Sequence, residues 1–146
     1  MKTITKDKQF ELKKLNIAKF GLHVEFNIIH ESYGVEETVK NKLDLPFCAN
    51  AELSMALDSL VRKFASVVFN YDINYLHEDR EISLKCLLIS NNGISLQLSE
   101  VGEQGEFVIK SPKIDKQPYE AVLDKIESAV YDFLSNENGE HLEELF

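Results

Sequence analysis

After Gly21 the chain alternates apolar and polar residues: Leu22, Val24, Phe26 and Ile28 fall on one side, His23, Glu25 and Asn27 on the other. Successive side chains of a strand point to opposite faces, so this pattern predicts a half-buried strand. Upstream, Phe10, Leu12, Leu15 and Ile17 keep no single parity, which predicts a strand with an irregularity near Lys13 and Lys14. Downstream, Ser32-Tyr33-Gly34 supplies a turn and Val35 to Leu45 a weaker extended segment, completing a three-stranded antiparallel opening. Pro46, with no amide to donate, is expected to interrupt any further pairing.

A period of three to four residues takes over next. Leu53, Ala56, Leu57, Leu60, Val61, Phe64 and Val68 form one stripe of a helix expected to start at Ala51, capped by Asn50, and to end near Phe69. The polar segment from Asn70 to Glu81 reads as a loop with embedded aromatics. Alternation returns at Ile82, Leu84, Cys86 and Leu88 and again at Ile94, Leu96 and Leu98. Between them Asn92-Gly93 suits a tight hairpin turn with positive φ at both residues. Gly102 and Gly105 punctuate a second turn before a strand through Phe107 and Ile109, which Pro112 ends. Pro118 fits the first turn of a second helix, striped by Val122, Ile126, Ala129, Val130 and Phe133 and fraying by Asn138-Gly139. The elements therefore run strand-strand-strand-helix twice. The expected fold class is α+β, an antiparallel sheet of about six strands packed against two helices. Residues 1–136 form a single domain on this reading, and 137–146 an acidic tail.

Composition supports a packed interior. Of 146 residues, 44% are hydrophobic and nine are Phe, and a chain of this length buries roughly 68–70% of its unfolded surface. The net charge of −9 opposes the attraction to phosphate on which nucleic-acid binding rests, so direct nucleic-acid binding is the lesser expectation. Lys2, Lys6, Lys8, Lys13, Lys14 and Lys19 crowd the first twenty residues, a pattern that a solvated strand face explains. Cys48 and Cys86 match no paired motif and suit a reducing cytoplasm. No apolar run reaches signal-peptide or membrane-spanning length, so no membrane role is expected.

Candidate chemistry is sparse. Nucleophilic catalysis needs a Ser or Cys beside a base, and neither a GxSxG elbow nor a catalytic-cysteine signature is present. Cys86 reads as a core thiol on the alternating face of its strand, and Cys48 lies just before a helix cap with no His beside it in sequence. His23, His30, His77 and His141 lack ligand spacing. His77-Glu78-Asp79 groups potential ligands, but in a solvated loop. Phe64, Phe69, Tyr71 and Tyr75 read as packing rather than base-stacking groups, since the charge around them turns acidic from Asp72. The expectation is no enzyme activity, no metal and no cofactor. The tail is left: Leu142, Leu145 and Phe146 stand among Glu140, Glu143 and Glu144 as the large apolar residues after Leu134.

In the helix Ala51-Glu52-Leu53 through Ala56-Leu57, Leu60 and Phe64-Ala65, in Val108-Ile109-Lys110-Ser111-Pro112, and in a last helix running to an acidic end with Leu145-Phe146, the chain resembles a group of small bacteriophage proteins found with DNA replication and recombination genes. Members of that group often end in a Gln-Leu-x-Leu-Phe peptide similar to those that dock on the bacterial sliding clamp. Here His141-Leu142-Glu143-Glu144-Leu145-Phe146 keeps the final Leu-Phe, lacks the Gln, and places Leu142 one residue too far from Leu145. The resemblance implies an accessory protein that binds a replication or recombination protein, with Leu142, Leu145 and Phe146 as the partner-binding residues. The alternative is an acidic inhibitor of a host nucleic-acid-binding enzyme or defence system, with carboxylates standing where phosphates would bind.

Overall fold

The computed structural model describes residues 2–17, 21–46, 51–64, 81–102 and 105–137. Strands β1 (Lys2–Thr5), β2 (Lys8–Ile17), β3 (Gly21–Ser32) and β4 (Val35–Pro46) lead to helix α1 (Ala51–Phe64). Strands β5 (Glu81–Ser90), β6 (Gly93–Gly102) and β7 (Gly105–Lys110) then lead through a 3-10 turn, Gln117–Tyr119, to helix α2 (Glu120–Glu137). The sheet is wholly antiparallel in the order β4-β3-β2-β5-β6-β7, with β1 also paired to β2. The strand-strand-strand-helix order expected twice holds only for the second half: the first is a four-strand meander, β1 to β4, followed by α1, and the halves meet at β2 and β5.

The α+β class, the antiparallel sheet and the two helices agree with the sequence pattern, but the described residues form seven strands rather than about six. The added strand is β1, which hairpins back so that Lys2 lies opposite Phe10 and Thr5 opposite Lys8. Four residues with a single large apolar side chain, Ile4, carry too short a pattern to announce themselves. Pro46 does not interrupt pairing but ends β4 opposite Gly21, a strand end being one of the places where its missing amide is tolerated.

The core lies between one sheet face and the helices. Phe10, Leu12 and Leu15 of β2, Leu22, Val24, Phe26 and Ile28 of β3, and Ile94, Leu96 and Leu98 of β6 are all at most 3% exposed. They meet Leu53, Leu57, Leu60 and Phe64 of α1 and Leu123, Ile126, Val130 and Leu134 of α2 in one cluster. Phe10 stacks tilted on Phe26 at 4.9 Å and edge-on to Tyr131 at 5.4 Å. A bulge between Leu12 and Lys14 resolves the broken parity of β2, because an extra residue restores Leu15 to the core face.

A second bulge, between Leu84 and Cys86, overturns the alternation expected for β5. Leu84 and Leu87 are buried, whereas Leu88 is 45% exposed and Cys86 lies half-buried on the opposite face. Cys86 is therefore not a core thiol. The hairpin turn also differs from expectation: Ser90 pairs with Gly93, so the loop is Asn91-Asn92, and among the described residues positive φ occurs only at Tyr33, Gly34 and Gly105. Gly93 is needed for space. Ile94 and Ile114 exchange two backbone hydrogen bonds of 2.9 Å, and this brings the Ile114 carbonyl oxygen to where a Cβ on Gly93 would stand.

One buried carboxylate completes the sheet. The free edge of β2 is shared by β1, opposite Lys8–Phe10, and by β5, opposite Lys14, Leu15 and Asn16. In the gap between them the Leu12 amide donates to Glu127 Oε2 at 3.1 Å, so α2 supplies the acceptor that the ladder lacks.

Candidate functional site

The sheet face turned away from the helices carries the polar members of each strand. Residues opposite one another in an antiparallel pair share a face, so Asn16, His23 and Asp44 form one row, and Lys14, Glu25 and Lys42 the next. His23 Nδ1 bonds Asp44 Oδ1 at 2.6 Å and Nε2 bonds Glu25 Oε2 at 3.0 Å. Lys14 and Lys42 reach Glu25 at 3.7 and 3.6 Å. Further along, Asn27 Nδ2 donates to Glu11 Oε1 at 3.1 Å, and Lys13 lies 3.0 Å from the same oxygen.

Hydrogen bonds to Asp44 and then to Glu25 raise the His23 pKa above its ordinary value, burial opposing them. The bond to His23 in turn holds Glu25 below the usual carboxylate range. Carboxylates at both ring nitrogens favour the protonated imidazole, which then donates to each; to act as a base it would first have to lose a partner. The arrangement clasps β3 to β4 and, through Lys14, to β2.

The other half has its own polar cluster. Ser99 Oγ donates to Glu106 Oε1 at 2.7 Å and Lys85 Nζ lies 2.8 Å from that oxygen. These contacts, with Lys85 first, lower the Glu106 pKa and tie together β5, β6 and β7. Between the two clusters, burial pushes the Cys86 thiol up, Lys14 opposing that shift; such a thiol stays protonated and weakly nucleophilic at neutral pH.

On the helix side a groove of about 470 Å³ separates α1 from α2, with Glu52, Met55 and Ser59 on one wall and Asp124, Lys125 and Asp132 on the other. Met55 is 70% exposed there. Lys2 of β1 caps this region, 3.8 Å from Asp132 and 5.3 Å from the Tyr131 ring centroid.

Among the described residues no three His, Cys, Asp or Glu side chains converge as a metal ion requires, and no helix is long and apolar enough to cross a membrane. The partner-binding residues expected from the sequence, Leu142, Leu145 and Phe146, lie outside the described residues, as do Cys48, Asn50 and His77-Glu78-Asp79. Sequence reading missed the His23 clasp because Asp44 is twenty-one residues away and only the β3–β4 register brings it opposite. The one available signal was His23-x-Glu25 on the polar side of a strand. No protein-family model, no curated protein and no solved structure matches the chain.

Proposed function

We propose that the protein is a non-enzymatic accessory factor of phage DNA metabolism that docks on a replication or recombination protein through Leu142, Leu145 and Phe146. The observation that supports this reading is the helical register of α2. Its buried positions are Leu123, Ile126, Val130, Phe133 and Leu134. Continued at about 3.6 residues per turn, that stripe would bring Glu137, His141, Glu144 and, eleven residues after Leu134, Leu145 onto the core side and turn Leu142 and Phe146 away from it. Leu142 and Phe146, two of the three apolar residues of the tail, are thus out of phase with the helix that precedes them, and a partner's pocket suits those two better than this core does.

Leu145→Ala with Phe146→Ala tests the proposal. The expected outcome is an unchanged melting temperature together with loss of the host protein that the intact chain captures by affinity pull-down. If the side chains instead belong to the core, the double substitution costs on the order of 2–5 kcal/mol, and stability loss without selective loss of binding refutes the docking tail.

A second reading has one observation in its favour. The interhelical groove is lined by Glu52, Asp124 and Asp132 with Lys125, Lys2 lying beside Asp132, a carboxylate-rich surface of the kind an acidic inhibitor of a nucleic-acid-binding enzyme would offer. That reading predicts binding to a basic protein that weakens steeply with salt and survives removal of the last eight residues.

A further inference from the structure

The outer edge of β4 has no strand beside it among the described residues, and the row it turns toward the helix side is not covered. Val35 is 60% and Val39 46% exposed, and Leu43 is half-buried. Opposite them on β3 stand Ser32, Ile28 and Val24, so the row continues the core face outward. A twelve-residue outer strand whose core-side row sets Val35, Val39 and Leu43 at every other position, with Glu37 and Asn41 between them, is a template for further pairing.

We propose that the occupant is a second copy of this chain, its β4 lying antiparallel to the first, with Val39 opposite Val39 across a two-fold axis perpendicular to the sheet. A symmetric pair of this kind sets residues of equal parity opposite one another, so both copies keep their helices on one side. In the Val39-centred register Val35 of each copy meets Leu43 of the other, Glu36 meets Lys42, Thr38 meets Lys40, and Glu37 meets Asn41. Other registers lose this match. Centring on Lys40 opposes Lys40 to itself and Glu36 to Asp44. Centring on Asn41 opposes Lys40 to Lys42, and centring on Thr38 sets Val39 against Glu37 and Val35 against Asn41.

Charges on an outer strand ordinarily guard against self-association by repulsion. Here the acids Glu36 and Glu37 precede the bases Lys40 and Lys42, an order that becomes complementary on reversal. Directly opposed unlike charges stabilise a pair of strands and like charges destabilise it, so the same residues select this register and reject its neighbours. Lys42, 73% exposed, would exchange its 3.6 Å contact with Glu25 for one with Glu36 of the other copy. The two apolar rows then join into one strip across the axis. This inference is independent of the tail, because β4 and residues 142–146 are separate parts of the chain.

Sedimentation equilibrium on the full chain tests it. The expected mass is twice the 16.7 kDa of one chain. Val39→Lys, at a position a folded monomer leaves exposed, should yield a folded monomer with unchanged far-UV circular dichroism and a melting temperature that no longer rises with protein concentration. Lys42→Glu sets two carboxylates together at two symmetric places and should weaken the dimer about tenfold. Glu36→Lys combined with Lys42→Glu swaps the pair and should restore it. A monomer at the highest concentration the protein tolerates overturns the proposal and leaves β4 to a strand of another protein. A dimer indifferent to Val39→Lys, or a charge swap that fails to restore, also overturns it.

Discussion

Gly93→Ala is the most informative single test of how the second meander is tied to the rest of the molecule. The added methyl would stand inside the contact distance of the Ile114 carbonyl oxygen, with the carbonyl carbon 3.1 Å away and Lys113 Cγ at 3.3 Å. Backbone cannot yield as a flexible side-chain end does, so the segment carrying Ile114 must move. Two hydrogen bonds to Ile94 depend on its position, worth about 1 kcal/mol each, and forcing a methyl into packed surroundings costs about 1–3 kcal/mol more. The lower freedom of alanine in the unfolded chain returns up to about 1 kcal/mol, which leaves a net loss of about 2–4 kcal/mol. For a chain of this size that lowers the melting temperature by roughly 6–15 °C. Urea denaturation measures the loss, and hydrogen exchange should show the amides of Ile94 and Ile114 losing protection. Asn92→Ala separates this cause from a turn requirement: with ordinary φ at Asn92 it should change stability by less than about 0.5 kcal/mol. An unchanged midpoint for Gly93→Ala, or a large loss for Asn92→Ala, refutes the reasoning.

Three further outcomes are expected. Tyr33 holds φ at 53° before Gly34 at 75° and is fully exposed, so Tyr33→Asn, which creates the pair best suited to this turn, should stabilise by about 0.5–1 kcal/mol; a lower melting temperature would contradict it. Glu127→Leu removes the acceptor of the Leu12 amide and should cost about 1–3 kcal/mol, whereas Glu127→Gln keeps an acceptor oxygen and should cost less; equal losses would count against the hydrogen bond. The His23 clasp should be pH-dependent. A raised histidine pKa adds stability that is complete below the unfolded value near 6.5 and lost as pH rises through the folded value, while the lowered Glu25 pKa adds stability present above about 4.5 and lost as pH falls through its folded value. His23→Gln should therefore differ from the parent most between about pH 4.5 and 6.5 and progressively less as pH rises through the folded value, by under about 1 kcal/mol because Asp44 is largely exposed; a difference independent of pH would sink the assignment.

What could be read from the chain was whatever has a short period. The alternation of β3 and the stripe of α1 as far as Phe64 each repeat several times within one element and predict its buried residues, whereas the stripe of α2 finds Ile126, Ala129, Val130 and Phe133 but takes the half-buried Val122 in place of Leu123 and misses Leu134. Bulges defeat this kind of reading to different degrees. In β2 the irregularity was visible because apolar residues stand at both Leu12 and Leu15, so parity had to change between them. In β5 the same event was hidden, because Cys86 and Leu88 are apolar too and continue a false alternation past Lys85. Gly93 shows another limit: next to Asn92 it imitates a turn signal, while its actual constraint comes from Ile114, twenty-one residues later. The clasp, the Leu12–Glu127 bond and the join between β2 and β5 depend on pairings distant in sequence, which no local period encodes.

That join explains why the buried carboxylate sits where it does. The strand order reads outward from the centre as the same meander on both sides, and a fully symmetric sheet would pair β2 with β5 along their whole length. Instead only Lys14, Leu15 and Asn16 pair with Leu88, Leu87 and Cys86, because β1 occupies the other end of the β2 edge. Two strands sharing one edge end to end leave backbone groups unpaired where they meet, and here the gap faces a packed interior in which an unsatisfied amide is costly. The carboxylate of Glu127 reaches that gap from α2, whose Ile126 and Val130 are fully buried beside it. Lys2 then binds β1 to the same helix through Asp132 and Tyr131. The departure from symmetry at β1 thus brings α2 into the sheet's own hydrogen bonding, and the two halves are held together by this polar anchor and the shared core as well as by three ladder pairs.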